Sequence, residues 1–475
     1  MSTILRPDIC VIGGGSGGLS VAAAAAGFGV DVVLIEKHKM GGDCLNTGCV
    51  PSKALIAAAR RAHVLRASGA FGIAPQEPGI DFAAVHEHVH AVINAIAPHD
   101  SVERFTRLGV RVIEAAGTFI DADTVQAGDI QVKARRFVIA TGSSAAAPPI
   151  AGLENVPFLT NETLFDAKAL PEHLIVIGGG PIGMEMAQAH RRLGSRVTVL
   201  EMFAPLGKDD PELGAIVLEQ IRAEGVDIRG GVKIIKVEKT GDNIQVVIEE
   251  SGKTLVIKGS HLLVAAGRTP NVENLGLERA GIIHDRRGIT VDAGLRSSNR
   301  RVYAIGDVAG HFQFTHVANY HAGIVIRAIL FRLPARISDA AIPWVTYTDP
   351  ELAHVGLTEA AARKAHGNTI KVLRWPFAEN DRAIAMRETA GLVKIITTRR
   401  GRILGAGIAG PEAGEIIQPW VLAISARLNI KAMTAAITPY PTLSEVNKRA
   451  AISFYHDKMT NPWLGRLIRF LARFG

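Results

Sequence analysis

Apolar runs broken by glycine-rich turns recur along this chain and predict strands that lead directly into helices. Residues 8–36 show the order strand, glycine-rich turn, helix and strand, and residues 174–201 show the same order again. This order is typical of the Rossmann-like unit, which binds a dinucleotide at the start of its helix. The internal duplication therefore predicts two dinucleotide-binding units on one chain.

The segments that follow these units predict how the rest of the chain is divided. A β-rich stretch ends in a small-residue turn at 137–144, and a second one ends at 262–271. A third turn at 301–310 leads into an apolar helix that we predict from about 316 to 331. Residues 342–456 begin with a strand pattern and continue with further strands and helices, which favours a separate α+β domain.

Composition and charge narrow the class of protein. The 475 residues are 48% hydrophobic and 21% charged, as expected of a globular α/β enzyme with several domains. The net charge of +8 favours anionic partners, but no Lys/Arg block resembles a nucleic-acid motif, so nucleic acid is not an expected partner. The chain has neither a signal-peptide pattern at its start nor a run of about 18 apolar residues, which predicts a cytoplasmic protein.

Both duplicated units carry the glycine spacing of a dinucleotide fingerprint, with an acidic residue at the end of the following strand. The fingerprint residues are Gly13, Gly15, Gly18 and Glu36 in the first unit, and Gly178, Gly180, Gly183 and Glu201 in the second. The glycines let the backbone approach a pyrophosphate at the helix N-terminus, and the acid binds a ribose 2′-OH. Because a carboxylate repels a 2′-phosphate, Glu201 predicts NADH rather than NADPH.

Two cysteines lie five positions apart in the segment GGDCLNTGCVPSK. Cys44 and Cys49 precede Pro51, which is placed to start a helix, and a helix N-terminus stabilises a thiolate. A disulfide that closes so short a loop stabilises a fold little, so redox chemistry is the better interpretation. No further ligand set accompanies the pair, so no resident metal is predicted, and Cys10 is interpreted as core. The motif HEHVH at 86–90 matches a zinc-hydrolase pattern but is interpreted as part of an ordinary helix.

The Cys-x4-Cys segment, placed between the two fingerprints, resembles the class I pyridine nucleotide-disulfide oxidoreductases over residues 6–456. That family includes dihydrolipoamide dehydrogenase, glutathione reductase and mercuric reductase. The resemblance implies two Rossmann-like dinucleotide-binding domains, a C-terminal α+β dimerisation domain, and a homodimer. The implied divisions are an FAD domain with the cysteine motif (1–147), an NAD(P)H domain (148–270), a segment completing the FAD domain (271–341), the dimerisation domain (342–456) and a tail (457–475).

The resemblance also implies residue roles in a flavoprotein enzyme that passes electrons from NAD(P)H through FAD to the cysteine pair. Cys49 would be the charge-transfer thiolate beside the flavin, and Cys44 the interchange thiol that meets the acceptor. Lys53 would pair with Glu185 beside the flavin, and the helix near 316 would direct its positive end at the flavin. The implied flavin and nicotinamide contacts in the small-residue turns are Thr141, Gly142, Gly267, Arg268, Gly306 and Asp307, with Asp307 holding the ribitol.

One segment departs from the family pattern and leaves the acceptor open. In TPYPTLSEVNKRA, Tyr440 stands where disulfide-reducing members have a histidine, while Glu445 keeps the acid. A small-molecule or protein disulfide is the first expectation, and a phenol is a poor base for it at neutral pH. Tyrosine at this position resembles mercuric reductase and suggests a metal-ion acceptor, although the chain ends LIRFLARFG without that enzyme's vicinal cysteines. A membrane-associated redox sensor or a partner-binding flavoprotein with little turnover of its own is a further alternative.

The last residues, 461–475, form a basic amphipathic pattern. Apolar residues fall on one side of a helical wheel, and Arg466, Arg469 and Arg473 fall on the other. Such a helix binds the surface of an anionic membrane or packs on a protein, so a peripheral location at the inner face of the membrane is an alternative to a purely cytoplasmic one.

Overall fold

The structure is a computed structural model that describes residues 3–310, 312–456 and 462–474. The chain separates into two compact units. The first comprises Met1–Gly179, Ala189–Met202 and Gly231–Ile337, and the second comprises Gly180–Gln188, Phe203–Gly230 and Ser338–Gly475.

The helices and strands follow one another in chain order, and short 3-10 helices join several of them. The N-terminal part contains β1 (Thr3–Leu5), β2 (Ile9–Ile12), α1 (Ser16–Gly27), β3 (Val32–Glu36), α2 (Gly42–Asn46), α3 (Cys49–Ala67), α4 (Phe82–Ile96), α5 (Val102–Arg107), β4 (Val110–Glu114), β5 (Gly117–Phe119), β6 (Val125–Ala127), β7 (Ile130–Val132), β8 (Arg136–Ile139) and β9 (Ser143–Ala145). The middle part contains β10 (His173–Ile177), α6 (Pro181–Leu193), β11 (Arg196–Glu201), α7 (Pro211–Ala223), β12 (Asp227–Gly230), β13 (Lys233–Thr240), β14 (Asn243–Glu250), β15 (Lys253–Gly259), β16 (His261–Val264), β17 (Arg268–Pro270), β18 (His284–Asp285), β19 (Gly288–Ile289), β20 (Val302–Ala304) and α8 (Thr315–Leu330). The C-terminal part contains β21 (Pro343–Thr346), β22 (Glu351–Gly356), α9 (Glu359–His366), β23 (Ile370–Pro376), α10 (Asp381–Met386), β24 (Leu392–Thr398), β25 (Ile403–Gly410), α11 (Ala413–Ile416), α12 (Gln418–Ser425), α13 (Ile430–Ala435), α14 (Glu445–Ile452) and α15 (Pro462–Leu471).

A parallel sheet in the order β20-β8-β2-β3-β4 forms the centre of the first unit. Its strands β2 and β3 are apolar and almost wholly buried, as expected when helices cover both faces of a parallel sheet. The alanine-rich helix α1 packs with α8 against one face, where Leu19, Ala22 and Val325 share a core. The strands β2, β8 and β20 are parallel, so the turns that follow them emerge at the same edge of the sheet. This edge therefore brings together the first glycine fingerprint and the turns at 137–144 and 301–310.

The second fingerprint builds a similar parallel arrangement within the same unit, with β10 paired to β11 on one side and β16 on the other. A separate antiparallel sheet, β13-β14-β15, packs on these strands through a core that includes Ile175, Val246 and Val264. The strand–turn–helix order predicted from residues 174–201 is therefore present, and the second turn also opens at the carboxyl end of its sheet.

The second unit contains an antiparallel sheet in the order β21-β22-β25-β24-β23, whose core includes residues of α12 and α14. Trp420 is fully buried there, and its indole N–H donates to Asn447 Oδ1 at 2.7 Å. This hydrogen bond satisfies the polar end of a large apolar side chain in the core. The C-terminal α+β domain and the two Rossmann-like units confirm the predicted fold class, while the domain boundaries stay predictions.

Two local expectations are refined by the structure. The apolar helix predicted from about 316 to 331 is α8, Thr315–Leu330. The helix expected to start at Pro51 starts two residues earlier, at Cys49, with Gly48 as its N-cap. Among the described residues, no helix is both long enough and apolar enough to cross a membrane.

The HEHVH motif lies in α4, and the rings of His86 and His90 contact each other at a tilt of 44°, with their centroids 4.2 Å apart. His90 Nε2 lies 3.1 Å from the carbonyl oxygen of Phe165. Within residues 3–310, 312–456 and 462–474, no three His, Cys, Asp or Glu side chains are placed to hold a metal ion.

Candidate functional site

The first fingerprint turn owes its shape to two glycines that face backbone. Gly13 has a φ of +110°, and a Cβ placed there would lie 2.4 Å from the carbonyl oxygen of Ala140. A Cβ on Gly18 would lie 1.9 Å from the carbonyl oxygen of Gly13. A Cβ on Gly15 would meet only the Cα of Gly42, at 3.9 Å. The first two glycines thus permit helix and strand to pack, whereas Gly15 leaves the backbone open to a ligand.

The acidic residues hold matching positions in the two units. Glu36 Oε2 accepts from the amide of Gly14 at 2.6 Å, and Glu201 Oε2 accepts from the amide of Gly179 at 2.7 Å. In both units the carboxylate is therefore fixed beside the glycine turn, where a ribose would follow a pyrophosphate.

The second turn repeats the steric pattern of the first. Gly178 has a φ of +113°, and its Cβ would lie 2.4 Å from the carbonyl oxygen of Ala265. A Cβ on Gly180 would meet nothing within 4 Å, and Gly183 is buried in the first turn of α6. Both turns consequently fit a dinucleotide, because each presents an open backbone edge and a fixed carboxylate at one place.

The small-residue turns after β8 and β16 are bound to each other. Thr141 Oγ1 donates to the carbonyl oxygen of Asn271 at 2.8 Å, and Asn271 Nδ2 donates back to the carbonyl oxygen of Thr141 at 2.9 Å. Gly142 and Gly267 have φ values of +68° and +134°, which favour glycine. The strands β17 and β9 that continue these turns pair in antiparallel fashion, which places Arg268 opposite Ala145.

Asp307 lies in the third turn, after Gly306, whose φ is +68°. Ser143 Oγ donates to Asp307 Oδ2 at 2.5 Å, and the Nε of Arg268 lies 3.9 Å from the same oxygen. Burial raises the pKa of Asp307, and the hydrogen bond from Ser143 opposes that rise. A half-buried carboxylate at the sheet edge fits the hydroxyl groups of a flavin ribitol.

The two cysteines lie in consecutive helices, Cys44 in α2 and Cys49 at the first position of α3. Both thiols are free, and Cys49 Sγ lies 3.4 Å from the Oγ1 of Thr315. Thr315 is itself the first residue of α8. The N-termini of two helices, α3 and α8, therefore meet at Cys49, and their unpaired amides favour negative charge on its sulfur.

The thiols differ in acidity. A hydrogen bond from Cys44, with smaller effects of Thr315 and Lys53, lowers the pKa of Cys49 to about 6, although burial opposes the shift. The same hydrogen bond and burial raise the pKa of Cys44. At neutral pH the reduced pair therefore carries its negative charge on Cys49, while Cys44 keeps the proton.

We predict that the Cys49 thiolate of the reduced protein persists through neutral pH and is lost as the pH falls through about 6. Thr315→Val should move this midpoint upward by roughly half a unit or more, because it removes a hydrogen bond to the charged sulfur. The measurement is the thiolate ultraviolet absorbance against pH, with Cys49→Ser as the blank. Ser52→Ala is the matched control, since Ser52 Oγ bonds the backbone carbonyl of Cys49 and not its sulfur. An equal shift in both variants would contradict the assignment.

The structure describes contacts for Lys53 and Glu185, the residues predicted to pair beside the flavin, but does not test their pairing. Lys53 follows Cys49 by one turn of α3 and contributes to lowering the pKa of Cys49. Glu185 is buried, and its Oε1 accepts from the amide of Tyr347 at 2.9 Å. The pairing of Lys53 with Glu185 stays a prediction.

The C-terminal segment shows a contact that the sequence did not suggest. Tyr440 Oη donates to Asp381 Oδ2 at 2.7 Å, and this hydrogen bond raises the pKa of the phenol further. Glu445 instead pairs with Arg449 within α14 at 3.0 Å. Asn380 Nδ2 donates to the carbonyl oxygen of Thr442 at 3.1 Å, which anchors the same segment beside Asp381. The phenol is 66% exposed and is held as a protonated donor.

Sequence reasoning missed Asp43, Thr315 and Asp381. Asp43 carried a signal, because it stands next to Cys44 inside the recognised motif. Thr315 and Asp381 carried none, since each contacts its partner from a distant part of the chain.

Comparison with known proteins agrees with this geometry. The family model described as pyridine nucleotide-disulphide oxidoreductase matches residues 7–322, and the dimerisation-domain model of the same family matches 342–451. A mercuric reductase of Streptomyces lividans is 35% identical over 95% of this chain and 96% of its own. A dihydrolipoyl dehydrogenase of Geobacillus stearothermophilus is 34% identical over 94% of this chain and 96% of its own.

Solved structures show the same similarity. The HOCl-induced flavoprotein disulfide reductase RclA from Escherichia coli superimposes with a TM-score of 0.84 at 28% identity, covering 94% of this chain and 99% of that one. LpdA from Mycobacterium tuberculosis gives a TM-score of 0.85 at 29% identity with the same coverage. This chain therefore belongs to the pyridine nucleotide-disulphide oxidoreductase family, whose members are FAD-dependent enzymes that use NAD(P)H.

Proposed function

We propose that this enzyme uses NADH to reduce a thiophilic metal ion, with Hg(II) as the leading substrate, at the Cys44–Cys49 pair of a homodimer. FAD held at the first fingerprint turn would supply the two-electron chemistry that joins NADH to the disulfide. The observation that carries the choice of acceptor is Tyr440, whose proton Asp381 holds firmly where reduction of a disulfide would need a group that gives up and regains a proton near neutral pH.

Proton balance supports a metal ion over a disulfide. Reduction of a disulfide by NADH consumes one proton from solution and yields two thiols, so acceptor sulfurs must be protonated. Reduction of Hg(II) by NADH yields Hg(0), NAD⁺ and one proton. Small thiols bound to the metal ion leave as thiolates and are protonated from solution, so the reduced mercury atom itself accepts no proton. A phenol whose pKa is raised by Asp381 is unsuited to the first reaction and is not required as a base in the second.

The proposed residue roles follow from the described contacts. Thr315 and the N-termini of α3 and α8 hold negative charge on Cys49, next to the flavin site. Cys44, the less acidic thiol, binds the acceptor and releases its proton on doing so. Tyr440 and Glu445 are assigned to the acceptor side from a partner subunit, through the dimerisation domain that the family model identifies.

The proposed nicotinamide is NADH, supported by the Glu201 carboxylate beside the Gly179 amide. A 2′-phosphate placed there would meet a fixed negative charge. We expect kcat/KM for NADH to exceed that for NADPH by roughly tenfold or more, since a charge repulsion of about 1.4 kcal/mol gives a factor of ten.

The acceptor is tested by anaerobic NADH oxidation with Hg(II) buffered by excess small thiol, oxidised lipoamide and glutathione disulfide. We expect Hg(II) to be turned over at least about tenfold faster than either disulfide. Tyr440→His should raise disulfide turnover without raising Hg(II) turnover, because imidazole can move a proton at neutral pH. Tyr440→Phe is the matched control and should not raise disulfide turnover. Wild-type enzyme that prefers a disulfide would overturn the metal-ion proposal.

A second candidate property concerns the tail, and we propose that α15 binds an anionic lipid surface. Its apolar side chains are exposed, with Trp463 70% accessible. In the 3-10 turn that follows it Phe474 is 74% accessible, and no residue of 462–474 is buried. The arginines Arg466 and Arg469 lie opposite the apolar side. Charge complementarity and the exposed aromatic side chains favour a membrane surface over a neutral protein groove.

Vesicle binding of the full chain tests this property. We expect co-sedimentation with vesicles containing about a third anionic lipid and little with zwitterionic vesicles, because each arginine contributes about 1 kcal/mol only at a charged surface. Replacing Arg466, Arg469 and Arg473 by glutamine should abolish binding. The charge-matched control replaces the exposed Arg279, Arg286 and Arg287 and should bind normally. Equal binding by both variants, or a tail buried between subunits of the dimer, would contradict the proposal.

A further inference from the structure

Asp43 stands immediately before Cys44, and its carboxylate is held on both oxygens. Oδ1 accepts from Thr47 Oγ1 at 2.8 Å and from Asn161 Nδ2 at 3.0 Å. Oδ2 lies 3.2 Å from a terminal nitrogen of Arg268. Thr47 lies between the two cysteines, and Asn161 also donates to the carbonyl oxygen of Thr47. Arg268, in contrast, belongs to β17.

Arg268 continues the connection toward the flavin side of the same unit. Its Nε donates to Ser143 Oγ at 2.8 Å, and a terminal nitrogen donates to the carbonyl oxygen of Ser143 at 2.7 Å. Ser143 Oγ in turn donates to Asp307 Oδ2. The hydrogen bonds and the ion pair thus run without interruption from Asp43 through Arg268 and Ser143 to Asp307.

This connection differs from an ordinary surface ion pair. The side chain of Arg268 is only 13% exposed, and that of Asp307 is 19% exposed. One largely buried guanidinium therefore serves two carboxylates, that of Asp307 in poorly screened surroundings and that of Asp43, which is 40% exposed. Removing the charge of Asp43 would leave the Arg268 guanidinium with one carboxylate partner in place of two. Arg268 would then shift, and its contacts with Ser143 and Asp307 would change.

We propose that Asp43 is a positioning residue that, through Arg268 and Ser143, couples the placement of Cys44 to the retention of the flavin by Asp307. The coupling is reciprocal: whatever stabilises Asp307 in its flavin-binding position also stabilises the cysteine loop. The inference rests on the proposed FAD and cysteine roles but not on the identity of the acceptor.

The test compares the holoenzymes of Asp43→Asn and wild type, in the oxidised state for FAD release and in the NADH-reduced state for alkylation of Cys44. Asparagine keeps the size of the side chain and an acceptor for Thr47 and Asn161, but it lacks the charge that holds Arg268. Two rates are measured: FAD release on mild heating, by flavin fluorescence, and alkylation of Cys44 by iodoacetamide in the reduced enzyme, by mass spectrometry. We expect both rates to change by about fivefold or more, the range of an ordinary coupling energy.

Asp123→Asn is the matched control. Its carboxylate also pairs with two cations, Lys133 and Arg301, each at 3.1 Å, but it belongs to no contact with the cysteine loop in the described residues. Neither rate should change in this variant. If Asp43→Asn alters Cys44 alkylation while FAD release matches that of Asp123→Asn, the two sites are not coupled and the proposal is overturned.

A double substitution tests the route. Ser143→Ala removes the hydroxyl that joins Arg268 to Asp307, so adding Asp43→Asn to it should change FAD release by less than about twofold. If the effects of the two substitutions on the rate of FAD release were fully additive, the proposed connection through Ser143 would be wrong. If Asp43→Asn loses its flavin during purification, Asp43→Glu, which keeps the charge, must retain it. Equal loss from Asp43→Glu would show that charge is not the cause.

Because neither rate involves an electron acceptor, the outcome is separate from that of the Hg(II) experiment. An enzyme that fails to reduce Hg(II) can still show the coupling.

Discussion

Cys44→Ser is expected to abolish acceptor reduction while NADH still reduces the bound flavin. The serine hydroxyl cannot form the disulfide with Cys49 and does not bind a thiophilic ion, so electrons have no exit beyond the flavin. We expect a loss of about 10³-fold or more in acceptor turnover, as for removal of other covalent catalytic groups. Anaerobic stopped-flow absorbance separates the two half-reactions.

Cys10→Ala is the control for this experiment, because it also removes one thiol. Cys10 lies fully buried in β2, and burial raises its pKa, so it takes no part in redox chemistry. Acceptor turnover should stay within about twofold of wild type in this variant. If Cys44→Ser retained full turnover, electrons would leave from the flavin directly, and the proposed role of the cysteine pair would be wrong.

The second large effect is expected from Gly18→Ala. A Cβ at this position would lie 1.9 Å from the backbone oxygen of Gly13, and backbone cannot move aside as a flexible side chain can. We expect the free energy of unfolding to fall by more than about 3 kcal/mol, with loss of bound flavin. Denaturant unfolding and the flavin content of the purified protein measure the two effects.

Gly27→Ala is the matched variant, because Gly27 lies in the same helix α1 and its Cβ would meet nothing within 4 Å. Alanine there should change the free energy of unfolding by no more than about 1 kcal/mol, in the stabilising direction, because it restricts the unfolded chain. Wild-type stability and flavin content in Gly18→Ala would mean that the turn is not packed as described.

The two predictions concern different parts of one electron path. Gly18 shapes the turn proposed to receive the flavin dinucleotide, and Cys44 is the proposed end of the path at the acceptor. Between them, Thr315 and the helix starts at Cys49 and Thr315 bias the reduced pair toward a single thiolate. The acidity of Cys49 therefore depends first on the hydrogen bond from Cys44 and then on the Thr315 hydroxyl and the charge of Lys53, with the helix dipoles acting in the same direction.

The sequence by itself determined the fold class, the two dinucleotide turns and the redox cysteines. These features are local, since each fingerprint is one strand–turn–helix unit whose glycines are required by contacts between neighbouring elements. Gly13 and Gly178, for instance, both have a positive φ, and each approaches the residue that directly follows the neighbouring parallel strand, β8 or β16. Backbone geometry of this kind leaves a fixed spacing in the sequence, and the spacing can be read without coordinates.

Only the tertiary structure decided which side chains surround those motifs. Thr315 meets Cys49 across 266 positions, and Tyr440 meets Asp381 across 59. Arg268 reaches both Asp43 and Ser143, although the three residues lie in the separate elements β17, α2 and β9. Such contacts depend on how strands are ordered in a sheet and where loops meet at its edge, and they leave no periodicity or spacing in the chain. The sequence therefore identified the cysteine pair, and the tertiary structure determined the acidity of the two thiols and the residues that contact them.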